Sequence, residues 1–277
     1  MKDYDKEVII KKLHEMGISP KRSLGQNFLV GRSVIERIIA NVKSHNPTSI
    51  IEVGPGLGAL TEPLMEMGVP LTVLELDRTF AEMWRSKGLE VREGDALRMN
   101  WESFQMKNAT LVSNLPYQIS SSLVVERSIH PYGVDNMILM FQKEVAQRIM
   151  AAPRTKEYGL LTVIAQLCWK VQNVLEAGPN EFYPPPNVAS RVLSFQRRPQ
   201  IQGDLSNFLT LVKTGFAQRR KLLLSNLKPL FGPTGSSKDQ WEIQLISLGY
   251  KPGVRAEEVS VAHWWALYQR FMDSGKA

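Results

Sequence analysis

A glycine-rich turn directly after a short apolar segment is the feature that most limits how this chain can fold. Residues 50–58 are Ile-Ile-Glu-Val-Gly-Pro-Gly-Leu-Gly, and a helical pattern begins at Thr61. Glycines let the backbone adopt positive φ angles and pass close to a ligand. A strand that enters a helix through such a turn is typical of α/β sheets that bind a ligand at their strand ends. The sequence therefore predicts a sheet of this kind.

The first two-thirds of the chain support an α/β sheet, because short β-branched segments alternate there with amphipathic ones. The predicted strands are 49–53, 70–76, 90–92, 110–114, 137–142, 169–175 and 190–196. The predicted helices are 61–67, 78–86, 121–129, 144–150 and 160–167. Since the last two strands follow one another, we expect a hairpin that closes one edge of the sheet in antiparallel fashion.

The pattern changes after Arg197-Arg198-Pro199, where no further strand is predicted. Helices are predicted at 205–216, 221–230, 239–248 and 259–272, separated by Gly/Pro/Ser breaks. We therefore expect two domains, a Rossmann-like domain with an N-terminal arm over residues 1–198 and a smaller all-helical domain over residues 199–277.

Two ligands compete for the glycine turn. Gly54, Gly56 and Ala59 satisfy the dinucleotide pattern, with Glu75 or Asp77 at the spacing of a ribose-binding acid. The same turn fits the E-x-G-x-G-x-G form of methyltransferases that use S-adenosylmethionine. The turn by itself leaves both interpretations open.

The later strand ends favour an adenosyl ligand. The second predicted strand ends in Glu75-Leu76-Asp77, which places a carboxylate at the edge of the sheet, where it can accept hydrogen bonds from ribose hydroxyls. The third leads into Gly94-Asp95-Ala96, and an acid at this place can accept a hydrogen bond from an adenine amino group.

The most specific segment lies where the fourth strand ends and comprises Asn114, Leu115, Pro116 and Tyr117. The Asn114 side-chain oxygen and the Leu115 carbonyl can both accept hydrogen bonds from an exocyclic amine. Tyr117 can stack on a base that has been unstacked from its neighbours. We interpret this segment as a site that positions an adenine N6 for methyl transfer, with catalysis mainly by positioning and electrostatics.

These motifs together resemble the ribosomal RNA small subunit adenine dimethyltransferases. The resemblance runs almost end to end, through the blocks SLGQNFL, IEVGPGLGALTEPL, ELDR, GDAL, SNLPYQIS, FQKEVAQRI, FYPPPNVASRV, FAQRRKLLLSNL and RAEEVSV. It implies a Rossmann-like methyltransferase sheet that uses S-adenosylmethionine. The implied reaction places two methyl groups on N6 of each of two adjacent adenosines near the 3′ end of small-subunit rRNA, during ribosome assembly.

The resemblance also implies roles for individual residues. The implied cofactor-binding residues are Asn27, Leu29, Gly54, Gly56, Glu75, Asp95 and Asn114. The implied catalytic residues are Asn114, Leu115, Pro116, Tyr117 and Phe182, with Tyr117 and Phe182 on either side of the target adenine. Without the resemblance, Phe182 is better explained as an aromatic side chain that plugs the edge of the sheet.

Charge supports an RNA substrate. The chain has 34 Lys and Arg against 27 Asp and Glu, a net charge of +7, which favours a polyanionic partner. We expect phosphate contacts from two basic clusters, Lys21-Arg22 in the N-terminal segment and Arg219-Arg220-Lys221 in the helical domain. The expected partner is rRNA in an immature small subunit.

Other expectations concern the state of the protein. No apolar segment is long enough to span a bilayer, and the start of the chain does not resemble a secretory signal. The single cysteine and the four histidines show no metal-ligand spacing. We expect a cytoplasmic monomer that contacts no membrane and binds no metal.

Three alternatives stay open. A sister enzyme that methylates one adenine of large-subunit rRNA is the nearest, although QRRK and the full FYPPP block favour the small subunit. A ribosome assembly factor that methylates only secondarily is the second. A nicotinamide-dependent oxidoreductase is the third, and it leaves the Asn114–Tyr117 segment without a role.

Overall fold

A computed structural model describes residues 5–21, 24–104, 108–130, 132–201, 205–231 and 237–274. Its largest element is a seven-stranded sheet. The strands in chain order are β2 (Ser49–Val53), β3 (Leu71–Glu75), β4 (Glu90–Glu93), β5 (Ala109–Ser113), β6 (Asn136–Gln142), β7 (Trp169–Ala177) and β9 (Ser190–Arg197). Two further short strands, β1 (Phe28–Leu29) and β8 (Phe182–Tyr183), pair with each other antiparallel. The predicted α/β class is confirmed.

The strand order across the sheet is β4-β3-β2-β5-β6-β9-β7. The first five strands in this order are parallel, and β9 joins β6 antiparallel. The core strands β2, β3 and β5 are buried along their whole lengths, as expected for parallel strands covered on both faces. The predicted antiparallel closure is thus found at β9, with β7 next to it at the edge.

The helices before residue 150 are α1 (Lys6–Glu15), α2 (Arg32–Ser44), α3 (Thr61–Met65), α4 (Arg78–Ser86), α5 (Tyr117–Ile129) and α6 (Lys143–Ile149). Helices α1 and α2 were not predicted, although α2 buries Val34, Ile38 and Val42 at helical spacing. Helix α4 begins at its predicted residue because the Asp77 side chain accepts a hydrogen bond from the Thr79 backbone N–H, 3.0 Å away.

The later helices are α7 (Leu160–Cys168), α8 (Ser206–Gly215), α9 (Leu223–Leu227), α10 (Lys238–Ser247) and α11 (Val261–Ser274). The predicted helix 221–230 is shorter than expected, because a 3-10 turn over Lys228–Leu230 follows α9 at Pro229. Aromatic rings pack among α8 and α11, with Phe208 centred 5.5 Å from Trp265 and Phe216 centred 5.6 Å from Trp264.

The chain divides into two compact units. The first comprises residues 1–127, 131–146 and 171–197 and holds most of the sheet. The second comprises residues 128–130, 147–170 and 198–277, so α7 and its flanking loops group with the C-terminal helices. The chain enters the second unit for the last time at residue 198, close to the predicted boundary. The second unit also includes residues 128–130 and 147–170, and α7 in the latter segment contacts both α8 and α11. The assignment of residues 199–277 as a separate functional domain stays a prediction.

Candidate active site

A cleft lies at the carboxyl ends of the parallel strands, in the first unit. Strands β2 and β5 are neighbours, but the chain continues from β2 toward β3 and β4, and from β5 toward β6. Such a topological switch point leaves a crevice between the loops that follow the two strands. The cleft is lined there by Gly54 and Asn114, and its cavity volume of about 190 Å³ is far larger than one water molecule needs.

The glycines of the turn serve different purposes. Gly54 has a φ of +68°, and a Cβ added there meets no atom within 4 Å, because the residue faces the open cleft. At Gly58, with a φ of +97°, a Cβ would lie 2.5 Å from the Trp84 ring. The indole N–H of this buried tryptophan donates to the Gly56 carbonyl at 2.9 Å and fixes the turn. Gly54 therefore offers space to a ligand, whereas Gly58 makes room for packing.

The predicted acids line the cleft. Glu75 is 7% exposed, accepts a hydrogen bond from the Asp77 backbone N–H at 2.8 Å, and also accepts one from the Gly56 N–H at 3.4 Å. Burial raises the pKa of Glu75, although these hydrogen bonds oppose the shift. Asp95 lies after β4 and accepts a hydrogen bond from the Leu97 N–H at 2.9 Å. The structure thus brings Gly54, Gly56, Glu75 and Asp95 together as expected.

A third acid, Glu52, was not assigned a role from the sequence. It lies on β2 and lines the cleft, yet only 2% of its surface is exposed. Burial, with the neighbouring charge of Glu75, raises the pKa of Glu52 to about 8. Among the described atoms its Oε2 has no hydrogen-bond partner. The signal for this residue was present as the first letter of E-x-G-x-G-x-G.

The N-terminal segment is tied to the acid end of β3. The Lys21 ammonium lies 2.7 Å from Asp77 Oδ2, and the Gln26 amide donates to the same oxygen at 3.4 Å. Burial opposes ionisation of Asp77, but the hydrogen bond from Lys21 and the Thr79 N–H outweigh it and lower the pKa of the carboxyl. Lys21, a predicted phosphate contact, is thus half-exposed and engaged in an ion pair. Arg22, the other residue of the predicted basic cluster Lys21-Arg22, lies outside the described residues.

Asn27 and Asn114 both line the cleft and contact each other. The Asn114 side-chain amide donates to the Asn27 backbone carbonyl at 2.9 Å. The Asn27 side chain donates in turn to the Gly25 carbonyl at 3.1 Å. Because the nitrogen of Asn114 is used in this way, its side-chain oxygen is the atom left to accept from a ligand. Leu29, the other predicted residue of this segment, is buried and also lines the cleft.

The rest of the Asn114–Tyr117 segment also lines the cleft. The Tyr117 hydroxyl lies 2.7 Å from the Ser190 hydroxyl, and Ser190 is fully buried at the start of β9. Burial raises the pKa of Tyr117, so the phenol is neutral at neutral pH. Ser190 carries no local signal for this contact, because its partner Tyr117 lies 73 positions earlier in the chain.

Phe182 lies in the hydrophobic core and does not line the cleft. It is 2% exposed, pairs with Leu29 between β8 and β1, and belongs to the hydrophobic core of the first unit. It is absent from the residues that line the cleft. This position agrees with the alternative explanation from the sequence, an aromatic side chain that plugs the edge of the sheet. Its role beside a target base stays a prediction.

The cluster Arg219-Arg220-Lys221 lies in the second unit and is exposed. Arg219 forms an ion pair with Glu257 at 2.5 Å and donates to two backbone carbonyls, so it is structurally engaged. Within the described parts of the chain there is no group of three metal-ligating side chains. The described helices also include none that is both long and apolar enough to cross a membrane.

The cleft residues fit S-adenosylmethionine. Gly54 leaves open space beside the turn, Glu75 and Asp95 stand at successive strand ends, and Glu52 offers a buried oxygen that lacks a partner. These are the acceptors that ribose hydroxyls, an adenine amine and an amino group require. Strand order and site therefore define a Rossmann-like methyltransferase dependent on S-adenosylmethionine.

Comparison with known proteins identifies the family. Residues 18–271 match the family model described as ribosomal RNA adenine dimethylase, and the chain belongs to this family. A relative from Bdellovibrio bacteriovorus, named ribosomal RNA small subunit methyltransferase A, is 51% identical over 97% of this chain and 98% of its own length. A relative of the same name from Syntrophotalea carbinolica is 38% identical over 92% of this chain and 97% of its own length.

Solved structures share the fold. A dimethyladenosine transferase from Plasmodium falciparum has a TM-score of 0.75 at 22% identity and covers 90% of this chain and 98% of that one. The 23S rRNA methyltransferase ErmE has a TM-score of 0.64 at 25% identity, with coverage of 89% and 100%. The predictions of family, fold class, S-adenosylmethionine dependence and rRNA adenine methylation are confirmed by the membership in the family.

Proposed function

We propose that this protein transfers methyl groups from S-adenosylmethionine to N6 of two adjacent adenosines near the 3′ end of small-subunit rRNA. The observation that carries the proposal is the orientation of Asn114, whose amide nitrogen donates to the Asn27 carbonyl in the lining of the cleft. The relatives at 51% and 38% identity, both named for the small subunit, favour that substrate over large-subunit rRNA.

The residues of the first unit divide between cofactor and target. Glu75 and Asp95 accept hydrogen bonds from the ribose and the adenine of the cofactor, and Asn27, Leu29, Gly54 and Gly56 shape the rest of its cleft. When bound, S-adenosylmethionine supplies an electrophilic methyl group on a positively charged sulfur. The chain itself contributes position and polarity rather than a nucleophile.

The target amine is held by acceptors. The Asn114 side-chain oxygen and the Leu115 carbonyl accept its two N–H groups, and Pro116 fixes the backbone that presents that carbonyl. These hydrogen bonds keep the nitrogen lone pair directed at the methyl group, which matters because N6 of adenine is a weak nucleophile. Tyr117 stacks on the base, and Ser190 fixes its ring. As N6 bonds to the methyl carbon, the carbon–sulfur bond of the cofactor would break and S-adenosylhomocysteine would leave as a neutral thioether, while one N–H proton goes to solvent. Two rounds on each adenosine complete the reaction, and in the second round the amine has one N–H left to donate to these acceptors.

Further proposals concern substrate and setting. Arg220 and Lys221 contact RNA phosphates, and Phe182 stacks on the target if its side chain leaves the core. The substrate is rRNA within an immature small ribosomal subunit, and the protein works in the cytoplasm as a monomer.

The test supplies labelled S-adenosylmethionine with immature small subunits that lack the modification, followed by RNA digestion and mass spectrometry for N6,N6-dimethyladenosine. Asn114→Ala should lower the rate by about 100- to 1000-fold, because it removes an acceptor aligned with the reacting amine. Cofactor affinity should change far less. Asn173→Ala, an exposed amide on β7, is the matched control and should behave as wild type.

The outcomes separate the alternatives. Dimethyladenosine from the small subunit, lost only in Asn114→Ala, supports the proposal. Label in large subunits instead identifies the sister activity. An Asn114→Ala protein that binds immature subunits and supports growth without methylation favours an assembly factor. Unchanged turnover of this variant would refute the role of Asn114.

A further inference from the structure

The loop of residues 152–157, in the second unit, carries exposed basic side chains in addition to the basic cluster Arg219-Arg220-Lys221. Residues 152–157 are all exposed and include Arg154 and Lys156. The loop is nevertheless anchored, because Tyr158 is buried and its hydroxyl donates to the Val259 carbonyl at 2.7 Å. Its basic side chains therefore project from a fixed backbone.

Arg219 connects this loop with the segment Gln218-Arg219-Arg220-Lys221 through hydrogen bonds. Its guanidinium donates to the Thr155 carbonyl at 3.0 Å and to the Lys156 carbonyl, and it forms the ion pair with Glu257 at 2.5 Å. The Arg154 backbone N–H donates to the Glu257 carbonyl at 2.8 Å. Hydrogen bonds thus connect the loop with Arg219 and Glu257, although more than 60 residues separate the loop from Arg219 in sequence.

These contacts change the role expected for Arg219. A guanidinium has five N–H donors, and here three of its bonds hold protein groups while Glu257 neutralises its charge. Arg219 therefore holds the loop in place, a role that we call the brace. The side chains of the neighbouring Arg220 and Lys221 are exposed.

The brace assembles a basic surface. We propose that Arg154 and Lys156, together with Arg220 and Lys221, form one phosphate-binding surface for the RNA backbone, which we call the braced basic surface. Two acids belong to these segments or contact them: Glu157 lies in the loop, and Glu257 is paired with Arg219. This inference rests on the proposed function, because it takes rRNA as the polyanion that the enzyme must bind.

The chemistry favours a phosphate backbone over a base edge. The surface consists of exposed, long cationic side chains and presents no aromatic ring within the loop 152–157. Such side chains neutralise phosphates and release counterions, which gives affinity that depends on salt and little on sequence. The surface thus orients RNA, while the cleft selects the adenine.

The experiment measures binding of the full-length protein to a small-subunit rRNA fragment and to immature small subunits as the salt concentration is varied. The double variant Arg154→Gln, Lys156→Gln should bind several-fold more weakly, and its slope of log affinity against log salt should fall by about one to two. The control is Lys170→Gln, Lys238→Gln, which removes two exposed charges of the same unit outside both segments. The control should retain the wild-type slope.

A second pair of variants separates brace from contact. Arg219→Gln should speed amide hydrogen exchange of residues 154–157, because the loop loses its anchor. Arg220→Gln should leave this exchange unchanged and lower the salt slope by about one. If Arg219→Gln lowers the slope as Arg220→Gln does and leaves the exchange of the loop unchanged, Arg219 is a contact and the brace is refuted.

The outcomes remain distinct from those of the proposed function. A wild-type slope in the double variant, with methylation intact, overturns the braced basic surface and leaves the enzyme assignment standing. A loss of binding to subunits but not to naked rRNA identifies an acidic protein surface as the partner and also overturns it. Failure of the wild-type protein to methylate refutes the proposed function, whatever its RNA affinity.

Discussion

The cleft of the first unit and the braced basic surface of the second differ in how they hold their functional groups. In the cleft, carboxylates and amides lie at the carboxyl ends of parallel strands, and hydrogen bonds to the backbone set their orientation, as between Asn114 and Asn27. On the braced basic surface, long cationic side chains are exposed and only the backbone beneath them is fixed. A reaction requires accurately positioned groups, whereas exposed positive charge suffices to bind a phosphate backbone.

The comparison implies that cleft variants change catalysis or cofactor binding and leave the salt dependence of RNA binding unchanged. Variants of the braced basic surface should do the reverse. The following substitutions test the cleft side, and the surface variants described above test the other.

Gly54→Ala should have the largest effect after Asn114→Ala. A methyl group at this position fills space beside the turn that the cofactor needs, so affinity for S-adenosylmethionine should fall by about tenfold to hundredfold. Gly68→Ala is the control, since its φ of +70° matches the +68° of Gly54 and its Cβ also meets no atom. Calorimetric titration with the cofactor should distinguish the two. Equal affinities would mean that Gly54 does not border the cofactor.

Glu52→Gln should alter how stability depends on pH. The folded-state pKa of Glu52, about 8, lies above its ordinary value, so the folded state binds a proton that the unfolded state has lost. The stability that protonated Glu52 gives the folded state is fully present below about pH 4.5. It declines as pH rises toward 8, by about 1 kcal/mol per pH unit. The difference in unfolding free energy between wild type and variant, measured by denaturant titration from pH 5 to 8, should therefore shift steadily in favour of the glutamine. A constant difference would contradict the raised pKa.

Ser190→Ala should have the smallest of these effects. It removes one hydrogen bond to the Tyr117 hydroxyl, whose loss costs about 1 kcal/mol, so kcat should fall by roughly threefold to tenfold. KM for the rRNA and the salt slope should not change, because the braced basic surface is untouched. Ser190→Thr keeps a hydroxyl and should restore much of the rate. A stability loss with unchanged kcat would assign Ser190 to folding alone.

The predicted elements show which features were local. Strand β2 and helix α4 were predicted with the bounds that the structure shows, because an apolar β-branched segment and an Asp cap are local signals. Strands β1 and β8 were missed, since two residues carry no periodicity and their pairing joins positions more than 150 residues apart. Helices α1 and α2 were also missed, and the amphipathic pattern of α2 was available.

The sequence by itself determined the chemistry at the strand ends. Gly54, Glu75, Asp95 and Asn114 each lie at the end of a predicted strand or just after it. Parallel strands bring their carboxyl ends to one edge, so the convergence of these residues followed from order alone. Only the tertiary structure decided which exposed charges are free and which are used. It placed Lys21 on Asp77 and Arg219 on Glu257. For Phe182 it favoured the core position, one of the two explanations that the sequence had left. The partners in both ion pairs are more than 35 residues apart in the chain, so no local pattern encodes these contacts.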